Sequence, residues 1–368
     1  MIRLCVFLIA LTSVANFTAR NSDAAVIILN DVNPGGSDPV ALAAFATAAN
    51  LWTSKLIDPV TKRLDVSFED LGPDVIGQAG LNSIVMSYSQ IKDALVADAK
   101  SSDDIAAVAS LPGGPSLRFF TNLSDGSIVL DSDLSENNKS LYVNRANLKA
   151  LGLLVDDGFT ADAAIIFNTF FKFDFDPGDG IMADAFDFVG GAAHEIGHAL
   201  GFVSGVDAVD YFTGFGPGDH SVDLNLWAVH SVLDLYRYSG ESIFFGGPET
   251  LDFVAGGASY LSLDGGATSL GTFSTGYFNG DGSQASHWQD NLGLGIMDPT
   301  GDLGESVVIK GLDVRAFDVI GWDLAPTVVP EPASAALLAI GGLGLIAFRR
   351  KRCILARASP ATQPLDVA

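Results

Sequence analysis

His194-Glu195-Ile196-Gly197-His198 brings two imidazoles and a carboxylate onto one short stretch of chain. At about 100° per residue, histidines four apart lie roughly 40° from one another on a helix, so both rings reach a single ion. Glu195, beside the first histidine, then approaches the open coordination position. Zinc lowers the pKa of a bound water to about 7, and a carboxylate within hydrogen-bond reach can take its proton during attack on a peptide carbonyl. Phe186, Phe188 and Val189 precede the motif and Gly201 follows it, as expected of a buried helix that ends in a turn. The spacing predicts zinc-dependent peptide hydrolysis, with His194 and His198 as ligands and Glu195 as general base.

A catalytic zinc takes three protein ligands and keeps a fourth position open, so one ligand is still to be found. In the contiguous pattern His-Glu-x-x-His-x-x-Gly-x-x-His the last position falls on Ser204, and a serine hydroxyl is a poor zinc ligand. Asp207 and Asp210 follow closely and could fold back after a turn at Gly205. Of the remaining histidines, His230 lies in the stretch Leu226 to Leu233, which reads as helical, where a packed ring is the commoner outcome. His220 follows Gly216-Pro217-Gly218-Asp219, which reads as a surface loop. His287, in Ser286-His287-Trp288, precedes Met297 of Gly295-Ile296-Met297-Asp298-Pro299. Separately, Asp174, Asp176 and Asp179 crowd three carboxylates into one turn, a candidate calcium site or else a solvated acidic turn.

Four segments together resemble the leishmanolysin-like zinc peptidases of metzincin type: His194 to Phe202, Ser286 to Trp288, Ile296 to Pro299, and the closing Leu312 to Trp322. In that family a long insertion separates the third ligand from the first two. The resemblance thus implies His287 as the third ligand, with Asp207 its leading competitor, and Met297 in a tight turn beneath the metal. It also implies an α+β fold of two lobes, the N-terminal one holding a twisted mixed sheet and the active-site helix, the C-terminal one irregular. The expected cofactor is Zn2+, with Ca2+ as a possible second ion, and the expected partner is a protein or peptide substrate.

Such a site needs a scaffold, and the apolar patterning supplies candidates. Ala25 to Leu29 and Leu64 to Phe68 read as strands, with a long helix over Val40 to Leu56 between them. Gln90 to Ala109 reads as one further helix, Leu117 to Phe120 and Leu141 to Val143 as strands, and Asn147 to Leu154 as a short helix. Ala163 to Asn168 is the strand just ahead of the motif. In zinc peptidases of this plan it is expected to rim the cleft, where an edge strand can bind an extended peptide by main-chain bonds; an interior strand is the alternative.

The ends of the chain read as addresses. Met1-Ile2-Arg3 before the apolar run Leu4 to Val14 fits a secretory signal peptide, with Ala15 and Ala24 both suited to be its last residue and residues 1–24 taken as its extent. Val329-Pro330-Glu331-Pro332, an apolar run from Ala333 to Phe348 and the cluster Arg349-Arg350-Lys351-Arg352 resemble the PEP-CTERM sorting signal of bacterial exported proteins, which an exosortase is thought to process. This implies a transmembrane segment within 326–352, a short tail over 353–368, a catalytic domain over 25–325, and export to the cell surface or beyond.

The whole chain carries a formal charge of −24, and its ends hold more basic than acidic residues, so the part between them is more acidic still. Such a surface repels nucleic acid and anionic lipid, leaving contact with the membrane to the terminal segments. The only cysteines, Cys5 and Cys353, lie in those segments, so core burial and bound metal must stabilise the domain. Two rival functions fit the same residues. One is a non-catalytic surface or extracellular-matrix protein with a structural metal site, and the other is a metal-dependent hydrolase of a different bond.

Overall fold

The molecule is described by a computed structural model that covers residues 25–326. The expected signal peptide, transmembrane segment and tail lie outside the described residues. The chain parts into two units between Ala325 and Pro326, and the first carries every element below.

The main sheet contains β1 (Val26–Asp31), β2 (Thr61–Glu69), β3 (Gly77–Leu81) and β8 (Ala163–Asn168), in the order β1-β2-β8-β3. β1 and β8 run parallel to β2, whereas β3 runs antiparallel to β8. The expectation for Ala163 to Asn168 is corrected here: that strand is interior, paired on both sides, and the edge is β3. Gly77-Gln78-Ala79-Gly80-Leu81 holds no β-branched residue, so its strand conformation comes from pairing with β8 rather than from local preference.

Helix α1 (Pro39–Thr53) starts at Asp38, whose side chain accepts from the Val40 N–H at 2.8 Å, with Pro39 in the first turn where a missing N–H costs nothing. It buries Phe45, Ala48, Ala49 and Trp52. Phe45 joins Phe68 of β2, Phe167 of β8, Phe173 and Phe188 in an aromatic cluster with ring centroids 4.6–6.3 Å apart. That cluster clamps the motif helix to the sheet.

The expected helix over Gln90 to Ala109 is two helices, α2 (Tyr88–Asp98) and α3 (Ser102–Ala109). Ser101 and Asp104 form a reciprocal capping box that satisfies the donors of a fresh N-terminus, so the break is stabilised in place. A hairpin of β5 (Phe119–Asn122) and β6 (Ile128–Asp131) comes next, and β4 (Ser83–Ser87) pairs with β7 (Ser140–Asn144). Short helices α4 (Glu136–Lys139) and α5 (Arg145–Ala150) flank β7, and the motif lies on α6 (Phe188–Leu200), followed by α7 (Val206–Phe212).

Between α7 and α8 (Gly311–Val319) the chain forms only short helical turns and two-residue strands, of which Arg237–Tyr238, Tyr260–Leu261 and Gly271–Thr272 pair in one small antiparallel sheet. Leu226 to Leu233 is not the expected helix. Its backbone is recruited elsewhere: the His230 carbonyl accepts from the Tyr142 N–H at 2.8 Å, and the Ser231 N–H donates to Asp234 at 2.8 Å. The class is mixed α+β with several small sheets. Successive lobes are not what it shows, however, because β5 pairs with Leu251–Asp252 and interleaves the two halves of the sequence. One continuous core runs from Phe45 through Ile196 to Trp322.

Candidate metal centre

Both ends of α6 are anchored before any chemistry is considered. Asp187 caps its start by accepting from the Gly190 N–H at 2.9 Å. At the other end the orphan carbonyls of a helix terminus need donors. The Asn144 side-chain amide donates to His198 O at 2.9 Å, and the Trp322 indole donates to Leu200 O at 3.0 Å. Gly201, at φ +124°, lets the chain turn away where a side chain would be strained. From the middle, the Trp52 indole of α1 donates to Ala193 O at 2.7 Å.

On this fixed helix His194 and His198 face the same way, and His287 comes to meet them. The three Nε2 atoms lie 3.1, 3.1 and 3.2 Å apart. Each Nδ1 faces a backbone carbonyl: Ile296 O at 2.7 Å for His194, Phe202 O at 2.7 Å for His198, and Gln284 O at 3.2 Å for His287. A carbonyl only accepts, so each Nδ1 carries the proton and each Nε2 turns a lone pair inward. Burial lowers the pKa of all three rings, that of His198 to about 3, which keeps them neutral and able to ligate.

Three converging lone pairs repel one another unless a cation lies among them. Zinc–nitrogen bonds of about 2.0–2.1 Å in a tetrahedron put nitrogens roughly 3.3 Å apart, close to the spacing found here, so the donor set fits the ion. Among the described residues this is the one group of three or more histidine, cysteine or carboxylate side chains close enough to share a metal.

Glu195 lies against the sheet edge. A Cβ built on Gly77 of β3 would sit 3.3 Å from its Oε1, so glycine there leaves room for the carboxylate. Burial pushes the Glu195 pKa up to about 8, and no described side chain or backbone group hydrogen-bonds its carboxylate. Met297 is fully buried beneath α6. A Cβ on Gly197 would come within 2.5 Å of its Sδ, so the glycine allows the thioether to touch the helix. The Met297 carbonyl accepts from the Trp288 N–H at 2.8 Å, which links this turn to the residue after His287.

The chain's C-terminal residues 328–352 match the PEP-CTERM protein-sorting motif. That match supports a bacterial exported protein, anchored at its C-terminus and recognised there by exosortase-type sorting machinery. No curated protein and no solved structure matches the chain. Among the described residues no helix is long and apolar enough to cross a membrane.

Other candidates fall elsewhere. Asp207 is not at the histidine cluster; its carboxylate accepts from the Ala285 N–H at 2.6 Å and from the Ser286 hydroxyl, and burial raises its pKa to about 6. His220 bonds the Gly216 carbonyl at 2.9 Å within its own loop. His230 is packed between Phe119 and Phe253, with ring centroids 4.8 and 3.8 Å away. A cavity of about 570 Å³ that both His220 and His230 border has none of the three clustered histidines in its wall.

Asp174, Asp176 and Asp179 are not brought together either. Asp174 accepts from the N–H groups of Asp176 and Met182, Asp176 accepts from Gly178 N–H, and Asp179 is exposed. Asp174 and Asp176 thus satisfy the turn's own donors, as the acidic-turn alternative expects.

Sequence reasoning missed Asp313. Fully buried in the first turn of α8, it accepts from the Trp288 indole at 2.8 Å, Ile296 N–H at 2.8 Å and Lys310 N–H at 2.7 Å. It therefore ties together the neighbour of His287 and the turn whose Ile296 carbonyl fixes His194. The one local signal was its place at the third position of a helix.

Proposed function

We propose that the chain is an exported zinc-dependent endopeptidase of metzincin-like plan, in which His194, His198 and His287 hold the ion. The observation that carries this reading is the convergence of three Nε2 atoms, each with its Nδ1 fixed by a carbonyl, beside a carboxylate left without a partner. When bound, zinc would lower the pKa of water and polarise the scissile carbonyl. Glu195 takes the proton that the attacking water gives up and delivers it to the leaving amine.

Substrate binding follows from the sheet. Among the described residues β3 pairs with β8 on one side only, which leaves its other edge as the place where an extended peptide would add main-chain bonds. Gly77 on that strand abuts Glu195, which brings a peptide laid along β3 to the general base. A structural zinc site is closed by four protein ligands, whereas three described side chains gather here, which favours catalysis over the matrix-protein alternative.

The test is a pair of variants assayed for bound metal and for digestion of a general protein substrate. Glu195→Ala should retain zinc and lose hydrolysis, while His194→Ala should lose both. Undiminished proteolysis by Glu195→Ala would remove Glu195 from the mechanism.

A further inference from the structure

Helix α7 carries Asp207 and Asp210 on neighbouring positions of one face, and both carboxylates grip the segment that leads to His287. Asp210 accepts from the Phe278 N–H at 2.9 Å and the Asn279 N–H at 2.8 Å. Asp207 takes hold closer to the ring, accepting from Ala285 N–H at 2.6 Å and from the Ser286 hydroxyl. The same Ser286 oxygen accepts from the Ser204 N–H at 2.8 Å. Ser204 is itself fixed, its hydroxyl donating to Asp234 at 2.6 Å while the Gly205 N–H donates to the other Asp234 oxygen at 2.7 Å.

The residue before His287 is thus held from two sides by the turn and helix that follow α6. This matters most for that ring. Its Nδ1 contact is 3.2 Å long, against 2.7 Å for His194 and for His198, so its backbone must do more of the aiming. Ser204 occupies the position where a contiguous pattern would place the third histidine. Here its N–H bonds the neighbour of the histidine that takes over.

We infer that Asp207 is a positioning residue for His287, acting through Ala285 and Ser286, with the Ser204–Ser286 bond as the second point of attachment. The inference rests on the metal reading above, because it is toward a shared ion that the imidazole is aimed. Groups that orient a ligand in this way typically cost about 10–100-fold in metal affinity when removed.

The experiment uses the full chain, zinc affinity measured by competition with a chromogenic chelator, and the visible absorption spectrum of the Co2+-substituted protein. Asp207→Ala should weaken zinc binding about 10–100-fold and change the Co2+ spectrum, with Asp207→Asn, which keeps one acceptor, falling between it and the unaltered chain. Should Asp207→Ala fail to fold, Ser286→Ala removes the hydroxyl alone and should show the same spectral change. If the unaltered chain binds zinc but the variants that fold match its affinity and spectrum, and lose only thermal stability, the positioning role is overturned and the metal reading stands. If the unaltered chain binds neither ion, both fall.

Discussion

Two glycines of α6 make opposite predictions from the same substitution. Glycine in a helix interior costs about 1 kcal/mol relative to alanine, so propensity alone says that Gly191→Ala and Gly197→Ala both stabilise. At Gly191 the added methyl would meet the Phe167 ring at 3.4 and 3.6 Å, ordinary contact, and the gain should be realised in full. At Gly197 it would meet Met297 Sδ at 2.5 Å, Met297 Cε at 3.2 Å and the Trp52 ring at 3.4 Å.

Methionine is flexible, but Met297 is fully buried and cannot swing into solvent, so relief requires a shift of about 1 Å in a packed interior. Overpacking of that kind costs about 1–3 kcal/mol, which exceeds the propensity gain. Gly197→Ala should therefore be destabilised by up to ~2 kcal/mol, while Gly191→Ala gains about 1 kcal/mol. Urea unfolding with chelator and again with zinc measures both. The loss at Gly197 should grow with zinc present, since the Met297 turn also carries the Ile296 carbonyl that fixes His194. A Gly197→Ala protein as stable as the unaltered chain would refute the close packing of thioether against helix.

Other outcomes are expected on separate grounds. Zinc at one hundred times its dissociation constant should raise unfolding stability by about 2.7 kcal/mol, and a chelator should abolish the gain; a melting temperature indifferent to both would argue against a metal site. Burial raises the Asp58 pKa from its ordinary 3.8 to about 7, so the folded chain holds a proton that the unfolded chain releases. The stability this contributes is complete below about pH 4 and is lost as pH rises through 7. Asp58→Asn should accordingly gain on the unaltered chain between those limits, by at most about 4 kcal/mol, and level off above; a difference independent of pH counts against it. Gly77→Val should crowd Glu195 and lower kcat by about 10–100-fold at unchanged zinc affinity, because a small misplacement of a catalytic group is enough to do so. Equal loss of zinc and activity would place the damage in the fold instead.

How far such a structure can be read in advance depends on whether the deciding contacts are near in sequence. α6 was legible because its signals are local: four-residue histidine spacing, an apolar run ahead and a glycine at the end. β2 was legible from its alternation and β8 from its apolar run, whereas the break at Ser101 was missed although its capping box spans only the four residues Ser101 to Asp104. The opposite case is β3, whose glycines and glutamine say nothing about strand until β8 is beside them. At the Asp174 turn, carboxylates grouped in sequence suggest a cation, while what the fold adds is a set of N–H donors two to eight residues away that Asp174 and Asp176 accept from.

His287 stands 89 residues from His198, and no periodicity connects positions so far apart. What pointed to it was chain order, a histidine shortly before a methionine turn, and that signal named the residue without explaining its placement. The explanation lies in acidic side chains whose tethering role nothing in the sequence marks out among 44 carboxylates. Asp207, Asp234 and Asp313 are set against backbone N–H groups, hydroxyls and an indole, and each holds a segment that touches the histidine cluster. A domain without disulfides must cross-link its loops by other bonds, and a buried carboxylate with two oxygens and several lone pairs can accept from more than one segment at once. The acidity that suggests only an unfriendly surface for nucleic acid is, at these three positions, what holds the loops that bring the three histidines together.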